Sequence, residues 1–242
     1  MTSTWKSVAG GAAAIAFAIA LGGALLGQGP ANAREDAVKI PAAAVDETAT
    51  PGGGLETAII AGGCFWGVQG VFQHVKGVES AVSGYSGGKL DGPSYEQVSS
   101  GSTGHAESVQ IKFDPAKISY GKILQIFFSV AHNPTQLNYQ GPDQGTQYRS
   151  AIFTLNDEQK KVADAYVAQL DKTGVYPEKI VTEVTPAGAF FAAEDYHQDY
   201  LTLHPSQPYI AYNDIPKVEN LRAMFPDVWQ DKPTLVFASN AS

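Results

Sequence analysis

One cysteine in a chain of 242 residues, Cys64, lies in the run Ala61-Gly62-Gly63-Cys64-Phe65-Trp66-Gly67. A thiol in that setting can be a nucleophile. An apolar run, Thr57 to Ala61, precedes it, and a helical pattern with Phe65, Val68 and Phe72 on one face follows. Cys64 is therefore expected at a strand-to-helix turn, where unpaired N–H groups and the helix dipole favour a thiolate. The glycines permit a sharp turn and the close approach of another molecule. Phe65 and Trp66 offer an aromatic wall for an apolar substrate group. An internal disulfide is excluded by composition. The competing account is a small buried hydrophobe, as free cysteines often are. A position between two glycine-bracketed elements, rather than within an apolar face, favours chemistry.

Glu107 is the second candidate. On a strand running to Phe113, alternation puts Ser108, Gln110 and Lys112 on a polar face and Glu107 with Val109, Ile111 and Phe113 on an apolar one. A desolvated carboxyl has a raised pKa and can donate a proton near neutral pH. A strand-end Glu curling into solvent fits the periodicity equally well. A third cluster, Gln140 to Ser150, is polar and turn-rich and precedes an apolar strand; it supplies Asp143, Tyr148 and Arg149. Loops at strand ends often carry catalytic groups, although an ordinary solvated turn would look the same. His105, His132, His197 and His204 show no ligand spacing such as His-x-x-x-His, so no metal site is expected. Glu194 and His197, three apart, could share a helix face; a single pair reads as a solvated face or as support for other groups.

The elements that must position these residues follow from periodicity. Strands are expected over Glu56–Ala61, Val78–Gly84, Ser108–Phe113, Ser150–Leu155 and Ile180–Val184. Helices are expected over Phe65–His74, Tyr120–Val130, Asp157–Lys172 and Glu194–Leu203. Ser119 and Asn156 are the natural N-caps of the second and third helices, and Gln159 completes a capping-box-like start. Such alternation predicts an α+β fold: a two-layer sandwich with a mixed or antiparallel sheet flanked by helices. From about Asp214 the prolines suggest an extended C-terminal tail.

Residues 1–33 have the form of a signal peptide: Lys6, an apolar stretch from Ala12 to Leu26, and Ala31-Asn32-Ala33 as a cleavage site. An uncleaved anchor is the alternative, from a stretch barely long enough to span a bilayer. Residues 34–54, rich in Ala, Pro and Gly, read as a flexible linker. Residues 55–242 fit one catalytic domain. Export, to the periplasm or another extracytoplasmic space, and no stable membrane association after cleavage are the expectations. An exported chain that uses no disulfide for stability makes its single thiol more telling. Net charge is −8. Lys6 is the only charged residue before Arg34, so cleavage leaves −9. No basic stripe is present, which argues against nucleic acid. Gly84-Tyr85-Ser86-Gly87-Gly88 lacks the lysine and spacing of a phosphate loop.

These motifs, in this order, resemble those of the peptide methionine sulfoxide reductase A family: Gly63-Cys64-Phe65-Trp66-Gly67, Gly84 to Gly88, Tyr95-Glu96-Gln97-Val98, Gly101 to Glu107, Asp143 to Ser150, and Ala193 to Gln198. The likeness spans about Ile59 to Tyr200. It implies Cys64 as nucleophile, Phe65 and Trp66 as the pocket for the substrate methyl, and Glu107, Tyr95 and Tyr148 as hydrogen-bond partners of the sulfoxide oxygen. Glu107 would supply the proton and Asp143 would order the polar site. The expected fold is the α+β sandwich with a ferredoxin-like core. The expected activity is reduction of the S epimer of methionine sulfoxide, free or in proteins, through a cysteine sulfenic acid. No cofactor would be needed beyond an external thiol reductant such as a thioredoxin-like protein, and a monomer is expected. Two departures stand out. His132-Asn133-Pro134 has Asn where many members have Asp, and the C-terminal resolving cysteine of many members is absent. A cysteine hydrolase with a histidine-activated Cys64, and an exported binding module in which Cys64 merely packs, are the rival readings.

Overall fold

The computed structural model of the protein describes residues 1–2, 37–47 and 53–237. The expected signal peptide lies outside the described residues apart from its first two. Four strands form the centre: β1 (Glu56–Gly62), β2 (Val78–Ser86), β3 (Ala106–Phe113) and β6 (Ser150–Thr154). Helix α1 (Phe65–Gln73) connects β1 to β2, and α3 (Tyr120–Ile126) leads out of β3. Between α3 and β6 lies a two-strand ribbon, β4 (Tyr139–Gln140) and β5 (Asp143–Gln144). The central order is β6-β1-β3-β2, all antiparallel neighbours, which is the ferredoxin-like split βαβ arrangement. Two edge strands extend it: β7 (Glu183–Pro186), parallel to β6, and β8 (Phe190–Ala192), antiparallel to β2. The expected strand at Ile180–Val184 thus starts three residues later.

Alternation within β1 sorts its side chains. Ala58 and Ile60 enter the main core with Val71, Ile111, Ile123 and Phe127, whereas Ile59 and Ala61 join Phe153 and Ala151 in a smaller cluster. Ser119 caps α3 by accepting from Lys122 N–H, and Asn156 caps α4 (Asp157–Thr173) by accepting from Gln159 N–H. Gly174, at φ +63°, ends α4 in the left-handed conformation that favours glycine. The helix expected to reach Val130 changes hydrogen-bonding pattern: α3 passes into a π-turn over Phe127–Ala131.

Three other expectations are corrected. Within the presumed flexible linker, residues 37–47 are tied to the domain. Val38 N–H donates to Ser129 O at 2.9 Å, and side chains of Gln125, Tyr166 and Gln169 donate to the carbonyls of Ile40, Pro41 and Ala42. Ile40 is buried in the main core. Composition shows the want of periodicity in this strap but not the donors waiting on α3 and α4. The stretch 194–203 is broken, into a 3₁₀ turn (Asp195–His197) and a short α5 (Tyr200–Leu203), with Asp199 at φ +58° between them. Tertiary bonds impose that break. Gln198 exchanges hydrogen bonds with the Ser83 backbone, and the Asp199 carboxylate receives Gln73 Nε2 and the N–H groups of Val236 and Phe237. The C-terminal region is not an extended tail from Asp214. It forms α6 (Ile215–Met224), with Pro216 in the first turn where the missing N–H is harmless. Beyond Phe225 the chain runs past the C-terminal end of α1, with Trp229 bridged to Val75.

Candidate active site

Cys64 is the N-cap of α1, as its setting predicted, and Gly63 before it has φ +86°. A Cβ on Gly63 would lie 2.6 Å from Gln140 Cβ, so only glycine lets the turn close against the β4 end. The Phe65 N–H, at the first position of α1, donates to Glu107 Oε2 at 3.0 Å. Glu107 therefore sits at the start of the helix that Cys64 caps, brought there by β3, where it pairs with Tyr85 on β2.

Both reactive candidates are buried, Cys64 at 8% exposure and Glu107 at 2%. Burial pushes the Glu107 pKa up to about 8; the Phe65 N–H opposes this, while Asp143 and Asp214 add to it. The apolar-face reading of β3 is what the chain does. The thiolate expectation is reversed. Burial, then the carboxyls of Glu107, Asp214 and Asp143, raise the Cys64 pKa well above its ordinary value, and the Trp66 N–H opposes them only in part. A helix N-terminus favours an anion, but desolvation and three acidic neighbours outweigh it here. The resting site holds a thiol.

Tyr95, at the start of α2 (Tyr95–Ser99), and Tyr148, at the end of a 3₁₀ turn (Thr146–Tyr148), meet the same field. Burial first, then the Glu107 charge, raises both phenol pKa values, and Cys64 contributes to each. Both remain hydrogen-bond donors. Asp143 accepts a hydrogen bond from the Tyr209 hydroxyl. Burial raises the Asp143 pKa against the Tyr209 hydroxyl and Lys217, which lower it. Asp143 also borders a small cleft with Cys64, Gln140, Gly141, Pro142, Tyr209, Asn213 and Lys217.

The aromatic wall is fixed from behind. Trp66 stacks on Tyr200 at 4.0 Å between ring centroids and meets Tyr209 edge-on. Its indole N–H donates to His197 Nδ1 at 3.2 Å, so that ring is neutral with its proton on Nε2. Phe65 packs against Tyr85 and His197. Glu194 accepts the Tyr85 hydroxyl at 2.8 Å and the Tyr95 N–H at 2.9 Å. The structure thus brings all seven predicted residues, Cys64, Glu107, Tyr95, Tyr148, Asp143, Phe65 and Trp66, to one end of the sheet around α1.

Other candidates serve structure. His132, its pKa pushed down to about 3 by burial, stacks on Phe127 and bonds Phe127 O and Ser150 Oγ. His105 spans Gly88 N–H and Leu90 O. Arg149 ties Thr146 O, Gly104 O and Glu183 together. Asn133 Oδ1 accepts from Thr135 N–H and Oγ1, a turn contact that an Asp would make equally. Among the described residues no group of His, Cys, Asp and Glu could hold a metal ion.

Sequence reasoning missed Tyr209, Asp214 and Lys217. Asp214 and Lys217 come from the stretch read as a tail and Tyr209 from just before it, and only a helical reading of 209–224 would have brought them inward. Lys217 Nζ lies 3.7 Å from Asp214 Oδ1. The signal available was Gly67: a Cβ there would meet Asp214 Oδ1 at 2.3 Å, so a small residue in α1 marks a close neighbour.

A model of the peptide methionine sulfoxide reductase family matches residues 56–228. The chain belongs to that family. Peptide methionine sulfoxide reductase MsrA 2 of Mesorhizobium japonicum is 61% identical over 196 residues, covering 81% of this chain and all of that one. MsrA 2 of Synechocystis sp. is 48% identical, covering 77% and 87%. In structure the chain is similar to Mxr1 of Saccharomyces cerevisiae in reduced form, with a TM-score of 0.57, 34% identity, and coverage of 66% of this chain and 91% of that one. It is similar also to methionine sulfoxide reductase A of Corynebacterium diphtheriae, with a TM-score of 0.55, 34% identity, and coverage of 64% and 77%. As a peptide methionine sulfoxide reductase the protein is an oxidoreductase that reduces methionine sulfoxide and so repairs oxidised proteins. Neither the hydrolase nor the binding-module reading is favoured.

Proposed function

We propose that Cys64 is the nucleophile and Glu107 the acid of this reaction, restricted to the S epimer at sulfur. The observation that carries the assignment is the Glu107 carboxyl, buried and held at the first N–H of the helix that Cys64 caps. Glu107, Tyr95 and Tyr148 donate hydrogen bonds to the sulfoxide oxygen, while Phe65 and Trp66 hold the methyl. As Glu107 passes its proton to that oxygen, Cys64 Sγ attacks the sulfur and the thiol proton returns to the carboxyl. Oxygen is transferred to Cys64, methionine leaves, and the product is a sulfenic acid. An attacking thiol that is neutral at rest suits this order, because the acid must be protonated when the nucleophile acts. Asp143 orders the polar side through Tyr209.

Regeneration needs two external thiols. The first displaces water from the sulfenic acid to give a mixed disulfide; the second releases Cys64 as a thiol and leaves the donor oxidised. A thioredoxin-like donor outside the cytoplasm fits the pattern of residues 1–33. A monomer with no prosthetic group completes the reading. Purified mature protein assayed on the separated sulfoxide epimers with dithiothreitol tests it: turnover of the S epimer alone, lost in Cys64→Ser, is expected. Comparable turnover of the R epimer would remove the assignment.

A further inference from the structure

Glu194 lies outside the proposed chemistry, yet its carboxylate joins two parts of the site. One oxygen accepts the hydroxyl of Tyr85, a fully buried residue that pairs across the sheet with Glu107 and packs against Phe65. The other accepts the N–H of Tyr95, the first residue of α2. Three residues on, His197 accepts from Trp66 and lies with its ring 4.4 Å from that of Tyr95. Glu194 itself is only at the lip of the 3₁₀ turn and reaches neither Cys64 nor Glu107. Although burial opposes ionisation, the hydrogen bonds from its own N–H, Tyr95 and Tyr85 hold its pKa below the ordinary value.

We infer that Glu194 is a positioning residue that aims the Tyr95 phenol at the sulfoxide oxygen by fixing the first residue of α2 to β2. The geometry argues for aim rather than bulk stability. A carboxylate with one oxygen on each partner fixes the separation of Tyr85 and Tyr95, and the capping box of Ser94 and Gln97 fixes the direction of α2 from that point. Small displacements of a donor have large effects on rate, because the donor must meet the oxygen where charge develops. Gln can satisfy both partners, its carbonyl accepting from Tyr95 N–H and its amide donating to the Tyr85 oxygen. Ala can satisfy neither.

The inference rests on the role given to Tyr95 above, so the test measures both. Single-turnover reduction of the S sulfoxide is followed in Glu194→Ala, Glu194→Gln, Tyr95→Phe and the double variant Glu194→Ala/Tyr95→Phe. Regeneration of the Cys64 sulfenic acid by dithiothreitol is timed separately in each. Expected are a loss of about tenfold or more for Glu194→Ala, a Glu194→Gln rate within about threefold of wild type, and a double variant no slower than Tyr95→Phe. Regeneration in Glu194→Ala should be slowed no more than in Tyr95→Phe, because any effect there also runs through the Tyr95 phenol. Tyr95→Phe at the wild-type rate sinks the role of Tyr95 and the inference with it. A slowed Tyr95→Phe whose effect multiplies with that of Glu194→Ala sinks the inference alone, as does a Glu194→Ala variant that slows regeneration more than Tyr95→Phe does. Should Glu194→Ala not fold, Tyr85→Phe removes one of the two anchors; a loss that disappears in the Tyr95→Phe background supports the inference, and an undiminished one overturns it.

Discussion

Glu107, the proposed acid, holds its proton because the sheet hides it. Its carboxyl is neutral below a pKa of about 8, so the reduction step is expected to be fast below that pH and to fall as pH rises through it. Glu107→Gln keeps a hydrogen-bond donor but has no proton to give; single-turnover reduction should slow about 10²–10⁴-fold, the usual range for a lost general acid. The fall above pH 8 should vanish with it. A pH profile unchanged in Glu107→Gln would assign that limb to another group. Trp66 acts differently. Its ring is clamped by Tyr200, Tyr209 and His197, so Trp66→Ala loses an oriented wall as well as apolar area. A cost of about 2–3 kcal/mol in kcat/KM is expected, since a substrate held loosely loses near-attack geometry. A folded Trp66→Ala protein with unchanged kcat/KM would place the methyl elsewhere.

At the scale of elements, the strap gives the clearest prediction. Glu47, at its end, is raised to about 8 by burial, by a hydrogen bond with Glu56 and by the charges of Glu56, Glu158 and Asp46. Tyr120 on α3 also faces it. A carboxyl whose folded pKa is raised binds its proton more readily in the folded state. Between about 4.5 and 8, therefore, stability falls as pH rises. Glu107 acts in the same direction over the same window. Below about pH 6.5 the histidines whose pKa burial lowers, His132, His197 and His74, act the other way; melting temperature should therefore decline from about pH 6.5 to pH 8.5, and Glu47→Gln should flatten part of that slope. An identical slope in the variant would show that the strap carries no linked proton. The strap also illustrates what the sequence hides. Strands and helices with strong periodicity, such as β1, β3 and α4, were legible, and with them Cys64 and Glu107. Ile40 is one apolar residue in an irregular run, and its burial depends on α3 and α4. The break at Asp199 and the helix at α6 are likewise set by distant partners: Gln73 and the C-terminal backbone for the first, the flank of α1 for the second. Propensity sees neither, because the deciding bonds are more than a hundred residues away in sequence for Gln73 and Asp199.

For the whole molecule, the proposed cycle turns on a single thiol. One equivalent of sulfoxide given without reductant should yield one methionine and a monomer bearing a dimedone-reactive Cys64. Intact-mass analysis after dimedone treatment reads this directly. A quantitative Cys64–Cys64 link between two chains, reduced at the rate of turnover, would instead assign the resolving step to a second copy.

The sheet's two borders carry a further consequence. β7 has four residues and ends on Pro186, and β8 has only three. A protein that works on oxidised polypeptides meets clients whose strands have come loose, and a long bare border would recruit them by hydrogen bonding. Two stunted borders, one ending on a residue with no N–H to offer, give such chains little to pair with. The enzyme can then handle a damaged segment without its own sheet becoming a template for aggregation.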